Sequence, residues 1–314
     1  MDQPLRPRVL ESLYQHRLLT SSQLAEILSP GSHPGWLRRV MAALATSGLV
    51  DRIRLRPPAS QAVWFLTPDG AQLVEHGHPG TWRRRYVVTP DVATGPLQAH
   101  MLAENDVGIA FMRAARRHNH ECGYLGWRHE VAHKLPGGSG SVIADVLLHY
   151  VAVGAGSRGS DVVLWRFFEV DRGHMPRAVL VEKLQDYVAL YRGYVDATGG
   201  KSPHPPRWVE RYPSFPAVVL VFTNAEHRLL MSRIRSVAEI CRRDRTVGET
   251  RLPIVFTTLE DLQTRGPFAP IFWPVGDPDR PVDVMGQSVG PTRVESRTPP
   301  RRPPLPGQQA LVEA

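Results

Sequence analysis

Two acidic features interrupt apolar stretches of this chain, and they are the residues best suited to chemistry. Asp145 stands inside Val142-Ile143-Ala144-Asp145-Val146-Leu147-Leu148, and Glu169-Val170-Asp171 closes the run Leu164-Trp165-Arg166-Phe167-Phe168. A carboxylate in an apolar strand is costly to bury unless it is paired, metal-bound or at a rim. Glu169 and Asp171 are two residues apart, so on a strand their side chains share a face. If the strand holding Asp145 lies alongside, three carboxylates converge into a hard oxygen set suited to Mg²⁺ or Mn²⁺. A divalent ion held there would polarise a phosphodiester and acidify an attacking water. Lys183, one of only three lysines in a chain with 35 arginines, follows on a predicted helix four residues before Tyr187. Its ammonium is suited to stabilising charge that develops on phosphate. The alternative for the same residues is an ion-paired cluster that only stabilises the sheet, with Asp171 bound to Arg172 or Arg177.

A second pattern, His129-Glu130-Val131-Ala132-His133, matches the H-E-x-x-H zinc-peptidase signature. That signature works on a helix, where the two histidines share one face. Here the segment precedes Pro136-Gly137-Gly138-Ser139-Gly140 and reads as extended. In a strand the two imidazoles would be roughly 13 Å apart, too far to grip one zinc. No G-x-x-x-x-G-K-[ST] loop is present, which argues against a nucleotide cofactor.

The elements that must position the acids follow from periodicity. After a helix over 95–118 come three strands, Tyr124 to Leu135, Val142 to Val153 and Val162 to Val170, whose short turns predict a meander. A helix from Pro176 to Asp196, a buried strand Ala217 to Phe222, an amphipathic helix Glu226 to Arg243 and a last strand Leu252 to Thr257 complete the block. The order predicts α/β architecture with a mixed sheet.

The first 90 residues read differently. Val9, Leu10, Leu13 and Tyr14 mark one helix, and Thr20 or Ser21 caps a second carrying Leu24, Ile27 and Leu28. A third opens at Ser32-His33-Pro34, with Leu37, Val40, Met41 and Leu44 on its buried stripe and Arg38 and Arg39 off it. Val50 to Leu55 and Ala62 to Leu66 are expected to pair around the tip 56–61. Three helices and a two-stranded ribbon resemble a winged helix-turn-helix domain. The resemblance implies a DNA-facing set of Arg38, Arg39, Arg52, Arg54 and Arg56.

Charge agrees with that placement. The 314 residues carry +8, and residues 1–90, with eleven arginines against six acids, hold +5 of it. An acidic partner, DNA first, is expected. Residues 277–314 contain eight prolines and five charges of each sign, so a disordered Pro/Arg-rich tail is expected. Two cysteines, Cys122 and Cys241, cannot supply a disulfide framework, and no signal peptide or membrane span is visible. The expectation is a cytoplasmic protein with no membrane partner.

Asp145, Glu169-Val170-Asp171 and a helix with Lys183 and Tyr187 look like the core of the PD-(D/E)-x-K nuclease superfamily. That resemblance makes Asp145 and Glu169 metal-holding acids and puts Asp171 where the family has lysine; Lys183 stands on the following helix, where some members carry it. The wider arrangement adds His100 and Asn105 on the long helix, Trp127 and Glu130, and Glu169-Val170-Asp171-Arg172-Gly173. Over residues 5–260 it resembles the actinobacterial replication-relaxation family. The resemblance implies a winged helix-turn-helix domain over 1–90 and a restriction-endonuclease-like mixed-sheet domain over 91–276, with the tail outside both. It implies a DNA-binding protein of plasmid or mobile-element replication or transfer, with Asp145, Glu169, Asp171 and Lys183 as catalytic residues of a Mg²⁺- or Mn²⁺-dependent nuclease. Replication or conjugation proteins are further expected partners. The alternative is a non-catalytic regulator or accessory factor with a degenerate nuclease fold.

Overall fold

Val9, Leu10, Leu13 and Tyr14 are all buried along one side of the first helix, α1 (Leu5–His16), as their spacing predicts. The chain then gives a short strand, β1 (Leu19–Thr20), and a second helix, α2 (Ser21–Leu28). Thr20 caps α2 through a reciprocal pair: its hydroxyl accepts from the Gln23 N–H at 3.1 Å, and the Gln23 amide oxygen accepts from the Thr20 N–H at 3.0 Å. Such a box satisfies two otherwise orphaned donors and stabilises the helix by about 1 kcal/mol. The computed structural model describes residues 5–31, 35–55, 61–77, 88–138, 140–193 and 207–286. They form two compact units that divide between Asn105 and Asp106.

The first unit continues with α3 (Gly35–Thr46), β2 (Val50–Arg54), β3 (Ala62–Leu66), α4 (Pro68–Gly77) and α5 (Pro90–Thr94). On α3, Leu37, Met41 and Leu44 are buried while Arg38 and Arg39 are exposed. β2 and β3 pair antiparallel from Val50 opposite Leu66 to Arg54 opposite Ala62, and β1 joins the other side of β3. Val63 and Phe65 of β3 pack with Leu18, Val88, Ala93 and Met101 into a small core. Asn105, fully buried, donates to the carbonyls of His16 and Leu18 at 3.2 and 2.7 Å, which pins the turn between α1 and β1.

The division falls within the next helix, α6 (Gln98–His118). The second unit then adds β4 (Trp127–Lys134), β5 (Ser141–Ala152), β6 (Val162–Asp171), α7 (Arg177–Arg192), β7 (Ala217–Phe222), α8 (His227–Arg243), α9 (Arg245–Gly248), β8 (Ile254–Thr258), α10 (Leu259–Thr264) and β9 (Trp273–Pro274). Six strands form one sheet in the order β4-β5-β6-β7-β8-β9. β4, β5 and β6 are an antiparallel meander, β6, β7 and β8 are parallel, and β9 returns antiparallel. The α/β architecture with a mixed sheet is therefore as the periodicity predicts. Phe111 of α6 meets Tyr150 and Phe168 on one face, with ring centroids 6.0 and 5.4 Å apart. The other face carries the main core, where Leu147, Phe167, Leu220 and Phe256 pack with Leu184 and Val188 of α7 and Ile234 and Val237 of α8.

One irregularity matters for the acids. Glu130, in the middle of β4, has φ of 50° and drops out of the pairing: His129 is opposite Val146 and Val131 opposite Ala144, leaving Glu130 at the level of Asp145. Facing reverses there. Trp127 lies against Gly108 of α6, whereas His133 meets Phe167 edge-on in the opposite core; on β5, Ala144 and Leu147, an odd number apart, join the same core. A regular strand would send them to opposite faces.

One expectation changes at the end of the chain. The expected tail starts too early, because residues 277–286 pack: Phe272 and Val282 exchange backbone hydrogen bonds, and Val284 is 1% exposed. The Arg166 guanidinium, itself buried, donates to the Val284 carbonyl at 2.8 Å. The rest of the tail, 287–314, lies outside the described residues. Among the described residues no helix is long and apolar enough to cross a membrane.

A Cβ on Gly108 would stand 2.3 Å from the Trp127 indole. Gly108→Ala is therefore expected to destabilise the protein by about 1–3 kcal/mol through overpacking, despite alanine's better helix propensity. Urea denaturation measures it; a raised midpoint would contradict the close approach.

Candidate functional site

The ladder between β5 and β6 ends at Val146 opposite Phe168. One step further the Val170 N–H turns to a side chain, donating to Asp145 Oδ2 at 2.8 Å. Asp145 thus replaces a strand with a carboxylate, and the two backbones part at the level where Glu130 has already loosened the other side of β5. Glu169 remains anchored from the far side, opposite Leu220 in the parallel ladder with β7.

Into this opening α7 sends Lys183. Its Nζ lies 3.4 Å from Asp145 Oδ1 and is hydrogen-bonded to Glu169 Oε2. Tyr187, one helical turn on, donates its hydroxyl to Glu169 Oε1. The spacing of four places both α7 side chains on one helix face. Lys183 and Asp145 keep 25% and 19% of their side-chain surface in solvent, whereas Glu169 keeps 5%. A cavity of about 10 Å³, lined by Asp145, Glu169, Asp171, Lys183, Leu184 and Leu220, opens among them. It has room for roughly one water.

Burial, reinforced by the charge of Asp145, pushes the Glu169 carboxyl well above the usual carboxylate range, against the pull of Lys183 and Tyr187. Burial also works against the charge on Lys183, but the carboxylates of Glu169 and Asp145 outweigh it and raise the ammonium's pKa. The Tyr187 hydroxyl, raised by burial and by Glu169, stays a donor. The cluster is thus two acids sharing one cation, with Glu169 the member whose ionised form is least favoured. Added positive charge would favour its ionised form.

Asp171 lines the same cavity but its oxygens are already engaged. Oδ1 accepts from the Gly173 N–H at 2.9 Å and Oδ2 from Arg233 Nε at 2.6 Å. The same guanidinium donates to the Met175 carbonyl, and Asn224 donates to the Arg172 carbonyl at 3.3 Å. Asp171 therefore ties the corner after β6 to α8, through neither Arg172 nor Arg177. Arg233 was not visible from the sequence: it lies 62 residues from Asp171 and sits among five arginines of one amphipathic helix, with no local motif to distinguish it.

Asp145 and Glu169 gather two carboxylates around the Lys183 ammonium, a pair of hard oxygen donors of the kind a divalent cation takes. Asp171, held by Arg233 and Gly173, points its oxygens to other partners.

The H-E-x-x-H segment is a strand, as its context predicts. His133 is buried and its Nε2 lies 2.8 Å from the Tyr212 hydroxyl; burial lowers its pKa to about 4, so it is neutral at pH 7. Of the arginine set, Arg38, Arg39, Arg52 and Arg54 are exposed, with the Arg52 guanidinium 5.3 Å from the centre of the Trp64 ring. Arg56 lies outside the described residues. Gly35, Arg38, Arg39 and Ala42, spaced i, i+3, i+4 and i+7, line an open depression beside Trp36.

Residues 10–203 match the family model described as replication-relaxation. The chain belongs to the replication-relaxation family. No curated protein and no solved structure matches it. The replication-relaxation span runs from within α1 past the end of α7 and includes Asp145, Glu169, Lys183 and Tyr187; Arg233 and α8 lie beyond it. Membership links the chain to replication of plasmids or other mobile elements.

Removing Lys183 tests the shared-cation arrangement. In Lys183→Met the Glu169 carboxyl loses an influence that lowers it, so its upward displacement on folding grows. A carboxyl raised on folding costs nothing below its ordinary value of 4.5 and destabilises progressively as pH rises above it. The stability deficit of Lys183→Met is expected to be smallest near the acid end and to reach about 2–4 kcal/mol at alkaline pH. Adding Glu169→Gln should abolish that growth. Urea midpoints across pH read it, and a deficit that does not vary with pH would contradict the arrangement.

Proposed function

We propose that this replication-relaxation protein acts on DNA during replication or transfer of plasmids or mobile elements, and that its second unit cleaves phosphodiester bonds with a divalent metal. The convergence of Asp145 and Glu169 on Lys183 beside a small cavity is the observation that carries the reading. Two strands from a meander supply the acids and the next helix supplies the lysine, as in restriction-endonuclease-like folds.

In this reading Asp145 and Glu169 hold Mg²⁺ or Mn²⁺, which when bound supplies Lewis acidity toward the phosphodiester and an activated water. Tyr187 keeps Glu169 oriented by donating to its second oxygen. Lys183, relieved of neutralising the acids, stabilises charge on the phosphoryl oxygens. Asp171 acts as a positioning residue through Arg233, holding the corner between β6 and α7.

The first unit is read as a winged helix-turn-helix. Its element order α1-β1-α2-α3-β2-β3 with a β1-β3-β2 sheet supports this, as does the exposure of Arg38 and Arg39 on α3 and of Arg52 and Arg54 on β2. On the exposed side of α3 the arginines are flanked by Gly35 and Ala42, small residues that let a helix approach a groove closely.

A second reading has a specific observation in its favour: Lys183 already neutralises the acids, and Asp171, in the superfamily's lysine position, is bound to Arg233. That reading is a non-catalytic DNA-binding factor. Supercoiled plasmid incubated with Mg²⁺ or Mn²⁺ separates the two. Nicking that disappears in Asp145→Asn, a change able to keep the acceptor for the Val170 N–H, is the expected result. Manganese binding followed by electron paramagnetic resonance should weaken at least tenfold in the same variant. DNA retardation with neither product nor bound manganese would sink the nuclease reading and leave the binding factor.

For the first unit, Arg38→Gln with Arg39→Gln is expected to weaken DNA binding and to reduce its salt slope by about 2, near 0.9 per lost phosphate contact. An unchanged slope would reassign this surface to protein association.

A further inference from the structure

The second unit carries a cationic surface that neither the acidic site nor the first unit uses. Helix α8 has five arginines, Arg228, Arg233, Arg235, Arg242 and Arg243, against one acid, Glu239, for a charge of +4. The remainder of residues 91–276 sums to −1. The positive charge of this part of the chain is therefore a property of one helix. Leu230, Ile234, Val237 and Cys241 bury the inner face of α8. Arg228 and Arg235 are exposed on the outer one, with Ser232 exposed between them. Arg242 and Arg243 extend the row and both reach Glu239. Among the described residues Arg228 and Arg235 have no acidic partner, so their charge is uncompensated. Arg233, on the flank, turns to Asp171, which brings this helix beside the acidic cavity.

We propose that the outer face of α8 grips the phosphate backbone of DNA entering the acidic site. The occupant follows from charge and spacing. Arg228, Arg235 and Arg242 recur every seven residues, two turns or roughly 10.5 Å apart, along a helix about 25 Å long. A duplex offers one negative charge per about 1.7 Å of axis, so every position on such a row meets phosphate. Guanidinium groups on exposed stems, interleaved with serine hydroxyls, are donors suited to phosphate oxygens without base selectivity. The surface is also joined to the site it would serve: the Asp171–Arg233 pair links α8 to the strand that carries Glu169.

The inference rests on the reading of this protein as one that acts on DNA. The test uses the full chain, a short labelled duplex of arbitrary sequence, and fluorescence anisotropy over a sodium chloride series. Three variants are compared with the parent: Arg228→Gln with Arg235→Gln, Arg228→Lys with Arg235→Lys, and Arg38→Gln with Arg39→Gln. The glutamine pair on α8 should lower the salt slope by about 2 and weaken binding at low salt at least tenfold, while the lysine pair retains the parent's slope. Melting temperatures of both α8 variants should match the parent, because both side chains are exposed and, among the described residues, neither is paired. A parent-like slope and affinity in the glutamine pair, with binding lost in the α3 variant, overturns the α8 surface and leaves the DNA reading standing. The reverse pattern supports α8 and removes the first unit's role. No binding by the parent overturns both.

Discussion

Placing two carboxylates on inner strands of an apolar sheet requires a cation, and Lys183 is the one that α7 delivers. The geometry of the second unit follows from that need. The helix must follow β6 closely enough for Lys183 to reach Glu169 and Asp145 together, and its next turn must bring Tyr187 to the other Glu169 oxygen. The apolar face of the same helix, with Leu180, Leu184 and Val188, is then fixed against Phe167 and Leu220. Packing and electrostatics thus demand one register of α7. Neither would be satisfied if the helix turned by a quarter of a revolution.

The acids divide into two tasks despite their closeness in sequence. Glu169 and Asp171 share a face of β6 and line one cavity, but their partners differ: a lysine and a tyrosine from α7 for the first, an arginine from α8 and a backbone amide for the second. An amine on a flexible stem can leave one carboxylate for another ligand at modest cost. A guanidinium bound at Nε and again through a terminal nitrogen to the Met175 carbonyl is fixed at two points. The mobile partner lies where chemistry would need exchange, and the fixed one where the corner after β6 must hold.

Much of this is legible in the sequence alone. Apolar strand runs interrupted by an acid are rare enough to identify Asp145 and Glu169, and helical spacing links Lys183 to Tyr187. The bounds of β7, Ala217–Phe222, coincide with the predicted run because six consecutive apolar residues leave no other assignment for a doubly covered strand. What escaped has physical reasons. The reversal at Glu130 depends on one positive φ at a residue type that seldom adopts it. The Asp171–Arg233 bond joins elements brought together by two parallel crossovers, which no local pattern records. The first ten tail residues are polar and proline-containing, yet Val282, paired with Phe272 beside β9, and Val284, bonded to the Pro267 carbonyl, are enough to hold them.

The break in facing at Glu130 and Asp145 ties the site to the fold's alignment. A regular strand can slip by two residues and bury a similar set of side chains. β5 cannot, because its even-numbered residues turn to the main core before the junction, at Val142 and Ala144, and to α6 after it, at Tyr150, and only the residue at the junction can cap the Val170 amide. Asp145 is therefore an alignment pin as well as an acid. If the proposed nuclease reading holds, a descendant that abandoned cleavage would still be under pressure to keep an acceptor at this position, while Lys183, Glu169 and Tyr187 could be replaced together by apolar residues. Among related chains, the fate of that trio would be a better record of catalytic history than the aspartate itself.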